Sequence, residues 1–306
     1  MFLAEIFAIG SATCIAMSAL LFGELKGRVG LLRLVQWQMF AALALTGAVS
    51  VATGGWRMVE PWQAWLLAGS SFCAVVLGST TYFASIFAAG PRNTALLFSL
   101  TAPFALLLGY LFLGETIGAR QAAGIALVLV GIVLAIGLPK AEAARATAER
   151  GEVPAAWYQT LPAGIAFGTF TAFAQAVGNL LARPAMAAGV EPFTAMALRS
   201  AVAALVFVAI AALGAALPVK ALKRAGAFAW RDLGIAVLAS FIGAGLGMSL
   251  LMAALARGQV GIVSTLASMT PVMILPLVWI RTGTAPPVRA WAGAALAVLG
   301  TGAIGL

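Results

Sequence analysis

The sequence predicts an all-helical membrane protein with ten transmembrane helices in two inverted five-helix repeats. Of its 306 residues, 63% are hydrophobic and only 9% are charged, which is too little charge to cover the surface of a soluble domain. The apolar residues form ten segments, each long enough to cross about 30 Å of hydrocarbon as a helix. The two halves of the chain also share landmarks at matching spacings.

The predicted spans are separated by short polar or glycine-containing stretches. They lie at residues 2–22, 31–52, 63–88, 92–113, 118–137, 159–182, 191–213, 232–256, 259–280 and 287–305. The first is predicted to be a retained helix rather than a cleavable signal, because Met1–Glu5 carries an acid and no base. The charge-balanced stretch Lys140–Glu152 marks the linker. The predicted organisation is therefore a first repeat at 1–138, a linker at 139–157 and a second repeat at 158–306.

The repeat is visible as spaced glycines and prolines. Pro103 follows Gly90 by thirteen residues, and Pro271 follows Gly258 by the same number. Each repeat holds five spans, an odd number, so the second copy must enter the membrane upside down. Inverted repeats are typical of secondary transporters, which bind substrate near the bilayer midplane between the copies.

The distribution of basic residues predicts the orientation. The odd-numbered loops and the linker carry thirteen Lys and Arg, and the even-numbered loops carry four. Cytoplasmic loops are enriched in these residues. We therefore expect a multi-pass protein of a bacterial inner membrane with both termini in the periplasm.

Composition also excludes several classes of function. The net charge of +9 comes from scattered loop residues with no basic run of five, so no nucleic-acid partner is expected. The chain has no His and only two isolated cysteines, Cys14 and Cys73, which argues against a zinc or haem site. With one Asp, no Ser–His dyad and no nucleophile motif, an enzyme is not expected, and no cofactor or metal is predicted.

Several motifs resemble the drug/metabolite transporter superfamily, in particular its ten-helix EamA-type branch. The motifs of the first copy are Thr101-Ala102-Pro103, Gly114-Glu115, Gln121-Ala122-Ala123-Gly124 and Gly131, echoed in the second by Thr270-Pro271, Gly293 and Gly300. The second copy departs from the pattern by having Arg281-Thr282-Gly283-Thr284 in place of the Gly-Glu pair. The resemblance spans essentially the whole chain and implies a carrier, with YddG-type amino-acid exporters as the nearest functional analogue.

Polar side chains inside apolar spans predict the substrate cavity, because such groups face the bundle interior or a wet cavity. On the sixth span Thr171, Gln175 and Asn179 recur every four residues and share one face. The full predicted set comprises Ser11, Cys14, Ser18, Ser79, Tyr82, Phe83, Ser99, Thr171, Gln175, Asn179, Arg199, Met248, Met252 and Ser268. The alternative for each hydroxyl or amide is a hydrogen bond between helices, and for Arg199 it is snorkelling or a structural ion pair.

Other residues are assigned conformational or structural roles. Pro103 and Pro271 lie within spans and remove a backbone donor, so they are expected to kink the helices, either as gates or as fixed bends. Glu115 is predicted to cap or neutralise the next helix start, with proton coupling as the alternative. The paired glycines Gly124 and Gly131, with Gly293 and Gly300, predict close packing between the two copies.

No predicted span carries an Asp or Glu in its middle third, so we expect uniport or exchange rather than proton-driven transport. The predicted substrate is a small metabolite, with neutral or aromatic amino acids as the first candidates, exported by a monomer through alternating access. The alternatives are a multidrug efflux pump and, from other classes, a channel or an integral-membrane enzyme.

Overall fold

The computed structural model describes residues 2–26, 28–113, 118–136, 160–216, 229–257, 263, 266–267 and 269–305. Every secondary-structure element of the described residues is a helix. The first half contains α1 (Phe2–Gly23), α2 (Leu31–Thr53), a 3-10 turn (Gly55–Met58), α3 (Pro61–Ser70), α4 (Gly78–Ala89), α5 (Pro91–Phe98), α6 (Thr101–Leu113) and α7 (Ala119–Ile136). The second half contains α8 (Leu161–Ala187), α9 (Pro192–Ala216), α10 (Trp230–Ser240), α11 (Met248–Arg257), α12 (Thr270–Thr282) and α13 (Val288–Gly305).

Two π-helical segments join pairs of these helices into long rods. Segment π1 (Ser71–Leu77) connects α3 to α4, and π2 (Phe241–Gly247) connects α10 to α11. Both segments have seven residues, and their starts are 170 positions apart. Their widened turns therefore lie at matching places in the two halves.

Within the described residues, seven helices are long and apolar enough to cross a membrane, and three shorter apolar helices accompany them. The seven are Leu3–Gly23, Arg33–Thr53, Pro61–Ala89, Pro91–Phe112, Leu161–Ala187, Pro192–Ile210 and Trp230–Arg257. The all-helical membrane fold is confirmed. The count of ten holds only if the shorter helices, at Ala119–Leu134, Thr270–Thr282 and Val288–Gly300, are spans as well.

Helices α7 and α13 pack against each other along their length. A methyl group placed on Gly131 would lie 2.6 Å from the Gly293 carbonyl oxygen, and one on Gly300 would lie 2.5 Å from the Gly124 carbonyl oxygen. Residue numbers rise along one helix as they fall along the other, so the two helices are antiparallel. Helices α7 and α13 also match in length, at 18 residues each.

The two largest clusters of buried apolar side chains among the described residues pack the helices of the bundle together. One includes Phe22, Leu34 and Phe207, and the other includes Met186 and Leu251. Each cluster draws helices from both halves of the chain, so burial of apolar and small side chains joins the halves.

Two ion pairs also connect the halves where α1 ends. Arg28 Nη1 lies 3.3 Å from Asp232 Oδ1 at the start of α10, and Arg281 pairs with Glu24. Both arginine side chains are 45% exposed although Asp232 is buried, so solvent screens part of each attraction and the pairs add modestly to stability. They fix the connection after α1 against the second half of the chain.

Candidate functional site

A cavity of about 80 Å³ lies in the centre of the bundle, between the two halves. Helices of both halves and both π segments contribute to its wall. Among the described residues it is lined by Ile15, Ser18, Gln38, Met39, Ala74, Val75, Gly78, Ser79, Tyr82, Phe98, Thr171, Gln175, Met196, Ser200, Gly243, Ala244 and Met248. Its volume suits a few water molecules and is well below the roughly 300–1,000 Å³ of typical ligand pockets. The cavity must therefore widen to hold a metabolite.

The π segments bring small and medium-sized residues to the cavity. Ala74 and Val75 of π1 lie in the wall, as do Gly243 and Ala244 of π2. A methyl group on Gly243 would collide with the side chain of Ser18, so glycine lets α1 approach π2 closely. Ser18 Oγ completes this contact by donating to the Ala239 carbonyl at 2.8 Å.

Helix α8 supplies one amide and one hydroxyl group of the wall, those of Gln175 and Thr171. Thr160 caps the start of this helix, and its hydroxyl accepts a hydrogen bond from the Ala163 N–H. Gln175 Nε2 donates to Asn179 Oδ1 at 2.8 Å, so one amide orients the other across a helical turn. The Thr171 hydroxyl lies 2.7 Å from that of Thr81 on α4. The wall therefore combines fixed polar groups from both halves.

An aromatic pair forms another part of the wall. Tyr82 and Phe98 both line the cavity, with ring centroids 6.1 Å apart in an edge-to-face arrangement. Phe83, the next residue along, turns away and packs edge-to-face on Phe22 at 4.6 Å. Consecutive helical residues point about 100° apart, which separates the two roles. Phe83 is therefore a core residue and does not line the cavity.

The structure separates the predicted cavity residues into two groups. Those that line the cavity are Ser18, Ser79, Tyr82, Thr171, Gln175 and Met248. Those that are described but do not line it are Ser11, Cys14, Phe83, Ser99, Asn179, Arg199 and Met252. Ser268 lies outside the described residues, as does Glu115.

Three of these residues are placed elsewhere by local geometry. Ser99 Oγ donates to the Leu96 carbonyl at 2.5 Å, which engages the hydroxyl within its own turn. A methyl group placed on Gly247 would lie 2.9 Å from the Cβ of Cys14. Cys14, on α1, therefore packs against the end of π2. Ser11 is fully buried, and its hydroxyl has no hydrogen-bond partner among the described residues.

Gln38 is one polar lining residue that the sequence interpretation missed. It is buried on α2, and its Oε1 is without a partner in the described part of the chain. An amide within an apolar span is a usable signal, the same one that selected Gln175. Met39, Met196 and Ser200 were also missed, because most faces of α2 and α9 are apolar or small.

Arg199 is fully buried on α9, one residue before Ser200 of the cavity wall. Its Nη1 group lies 3.5 Å from Met196 Sδ and 3.6 Å from Met252 Sδ. Its Nε and Nη2 atoms have no hydrogen-bond partner among the described residues. The side chain neither snorkels to the surface nor lines the cavity.

The segment around Pro103 is interrupted rather than smoothly bent. Helix α5 ends at Phe98 and α6 begins at Thr101, which places Pro103 in the first turn of the second piece. Pro271 likewise lies in the first turn of α12. At the matching positions before these prolines, Thr101 donates to the Phe98 carbonyl and Thr270 to the Ala267 carbonyl. The first turns that contain Pro103 and Pro271 are therefore preceded by the same local hydrogen bond.

Comparisons with known proteins agree with the all-helical membrane fold. The sequence profile of the EamA-like transporter family matches residues 2–137 and 162–306. Twenty-six chains of solved structures match the fold. One of them, titled only "Crystal structure of protein", aligns with a TM-score of 0.65 and 20% identity over 98% of this chain and 94% of that chain. No curated protein matches the sequence. The family match covers nearly the whole chain, and the protein belongs to the EamA-like transporter family, whose members move small molecules across membranes.

Proposed function

We propose that the protein is an inner-membrane carrier that exports small metabolites, neutral or aromatic amino acids first, by alternating access. The observation that carries this proposal is the central cavity, whose wall takes residues from both halves of the chain. A site between two inverted repeats can be exposed to either side when one repeat rocks against the other.

The wall suits a molecule with both polar and apolar parts. Gln38, Ser79, Thr171 and Gln175 offer hydrogen-bonding groups, while Tyr82 and the methionines offer apolar and polarisable surface. An amino acid with an apolar side chain presents the complementary groups. The orphan Oε1 of Gln38 is an acceptor suited to an ammonium group.

Paired irregularities in the helices support a conformational change. The π segments border the cavity, and helices α6 and α12 begin two residues and one residue before Pro103 and Pro271. Interruptions of this kind concentrate backbone rearrangement at few residues. We propose that gating occurs at these four positions, with the termini in the periplasm and one chain as the working unit.

The proposed driving force is the substrate gradient, through uniport or exchange. Of the acidic residues in the described ranges, none lines the cavity. Substrate-linked proton flux into proteoliposomes would contradict this part of the proposal.

Multidrug efflux is the second candidate, because Met39, Met196, Met248 and Phe98 make much of the wall apolar and adaptable. The two are separated by transport into proteoliposomes that contain the purified protein. Amino-acid uptake that saturates and is accelerated by internal unlabelled amino acid supports the first. Uptake of lipophilic cations without any amino-acid exchange supports the second.

A further inference from the structure

Arg199 is a buried cation beside the central cavity, and the described residues offer it no carboxylate partner. No part of it is exposed, and the contacts of its guanidinium that the structure shows are to the sulfur atoms of Met196 and Met252. Thioether sulfur is a weak acceptor, and the Nε and Nη2 donors have nothing to bond among the described residues. The charge is therefore poorly compensated in this conformation.

Burying the Arg199 guanidinium without a counter-charge is unfavourable, which favours a second state of the protein in which a bound anion supplies that charge. Removing an unpaired cation from water carries a large desolvation penalty. Arginines in membranes usually avoid this penalty by snorkelling or by pairing with a carboxylate. Arg199 is fully buried, and neither of the two ion pairs in the described part of the chain includes it.

Methionines separate the guanidinium from the cavity. Met196 lines the cavity and contacts Arg199, while Met252 follows the lining residue Met248 by one turn on the same face of α11. Methionine is unbranched and changes rotamer readily. Movement of one of these side chains would open a path from the cavity to the guanidinium.

Two buried hydroxyls, which have no hydrogen-bond partner in the described part of the chain, lie on the helices around this position. Ser249 precedes Met252 by three residues and so shares its face of α11, and Ser11 is on α1, which packs against α11. Hydroxyl and guanidinium donors together suit the two oxygens of a carboxylate.

We propose that Arg199 binds a carboxylate of the transported molecule, at a site that Met196 and Met252 cover in this conformation. The inference rests on the proposed carrier function and deepens it: the substrate is an organic acid or a zwitterion, rather than a cation or an uncharged drug. A carboxylate accepts two parallel hydrogen bonds from the guanidinium fork and supplies the missing counter-charge.

Binding is tested first with a probe that does not presuppose the substrate. Benzoate carries a carboxylate where benzamide carries an uncharged amide. The melting temperature of the purified protein is measured as the concentration of each compound is increased at fixed ionic strength. We expect benzoate to raise the melting temperature of the wild type and of Arg183→Gln, which removes an exposed arginine of α8. Benzamide should have no effect. In Arg199→Gln the benzoate response should be lost, and in Arg199→Lys it should be reduced.

Transport is tested by exchange of a labelled amino acid against internal amino acid or its amide. We expect Arg199→Gln to raise KM at least about tenfold, because it removes a charged hydrogen bond, and the amide to be a poor exchange partner. If Arg199→Gln does not fold, Met252→Ala serves instead, since uncovering the guanidinium should strengthen benzoate binding several-fold.

The outcomes separate the inference from the function. Normal amino-acid exchange with no benzoate response, or with the amide as effective as the acid, overturns the role of Arg199 and leaves the carrier intact. An Arg199-dependent benzoate response without amino-acid exchange supports the carboxylate site and overturns amino acids as the substrate.

Discussion

Gly131 and Gly293 bring the backbones of α7 and α13 into direct contact, since a methyl group on Gly131 would lie 2.6 Å from the Gly293 carbonyl oxygen. Gly300 meets Gly124 in the same way further along the pair. Small residues allow close helix approach in a bilayer, where apolar burial alone does not drive association. This contact joins the last helix of each half.

Gly131→Ala should therefore destabilise the protein by about 1–3 kcal/mol, because the added methyl forces the two backbones apart. The measurement is the melting temperature of the purified protein. Gly234→Ala is the matched control, since a methyl group at Gly234 meets nothing within 4 Å. Equal melting temperatures for the two variants would contradict the proposed packing.

Gly78→Ala should impair transport without harming the fold. Gly78 lines the cavity, and its added methyl would lie 3.5 Å from the Cys73 carbonyl oxygen, an ordinary contact distance. In a cavity this small, one methyl group should raise KM about tenfold for an aromatic amino acid and less for alanine. Exchange kinetics with the two substrates measure the effect. An equal change for both would show that the cavity wall does not discriminate by size.

Gln175→Leu should weaken substrate binding, because it removes a cavity amide and leaves the Asn179 Oδ1 without its donor. We expect KM to rise about tenfold in the exchange assay, with a smaller change in the maximal rate. Gln36→Leu is the comparison. Gln36 lies on α2, as Gln38 does, and its Nε2 donates a long hydrogen bond of 3.4 Å to the Phe207 carbonyl. If Gln36→Leu has the larger effect on KM, Gln175 is a structural residue.

The Arg28–Asp232 ion pair should couple the two halves weakly. Arg28 is 45% exposed at its side chain and Asp232 is 8% exposed, so solvent screens part of the attraction. A double-mutant cycle with Arg28→Gln and Asp232→Asn should give a coupling of about 0.5–1 kcal/mol in thermal stability. Additive effects of the two substitutions would show that the pair contributes nothing.

The sequence predicted the helices well because lipid exposure leaves a long apolar run for each span. Residues 63–88 and 232–256 were predicted as spans, and the structure has Pro61–Ala89 and Trp230–Arg257. The π segments within them were not predicted. A shift of the backbone hydrogen bonds by one residue leaves no mark on composition, and Ser71–Leu77 and Phe241–Gly247 share little sequence.

The site was only partly predictable for a related reason. On α8 a polar stripe contrasts with an apolar background, so Thr171 and Gln175 were found. On α9 the faces are similar in hydropathy, so the sequence does not single out Met196 and Ser200. Their place in the cavity wall follows from how α9 packs against α2. Phe83 packs on Phe22 and not on the cavity, which the apolar sequence around it does not reveal.

The central claim, a carrier with one cavity between two halves, is tested most directly by counterflow. Proteoliposomes are loaded with an unlabelled amino-acid panel, and uptake of each labelled amino acid is followed, with Gly78→Ala alongside the wild type. The account predicts saturable uptake that internal substrate accelerates, and a higher KM in the variant. Uptake that is linear with concentration and indifferent to internal substrate would contradict it and indicate a channel.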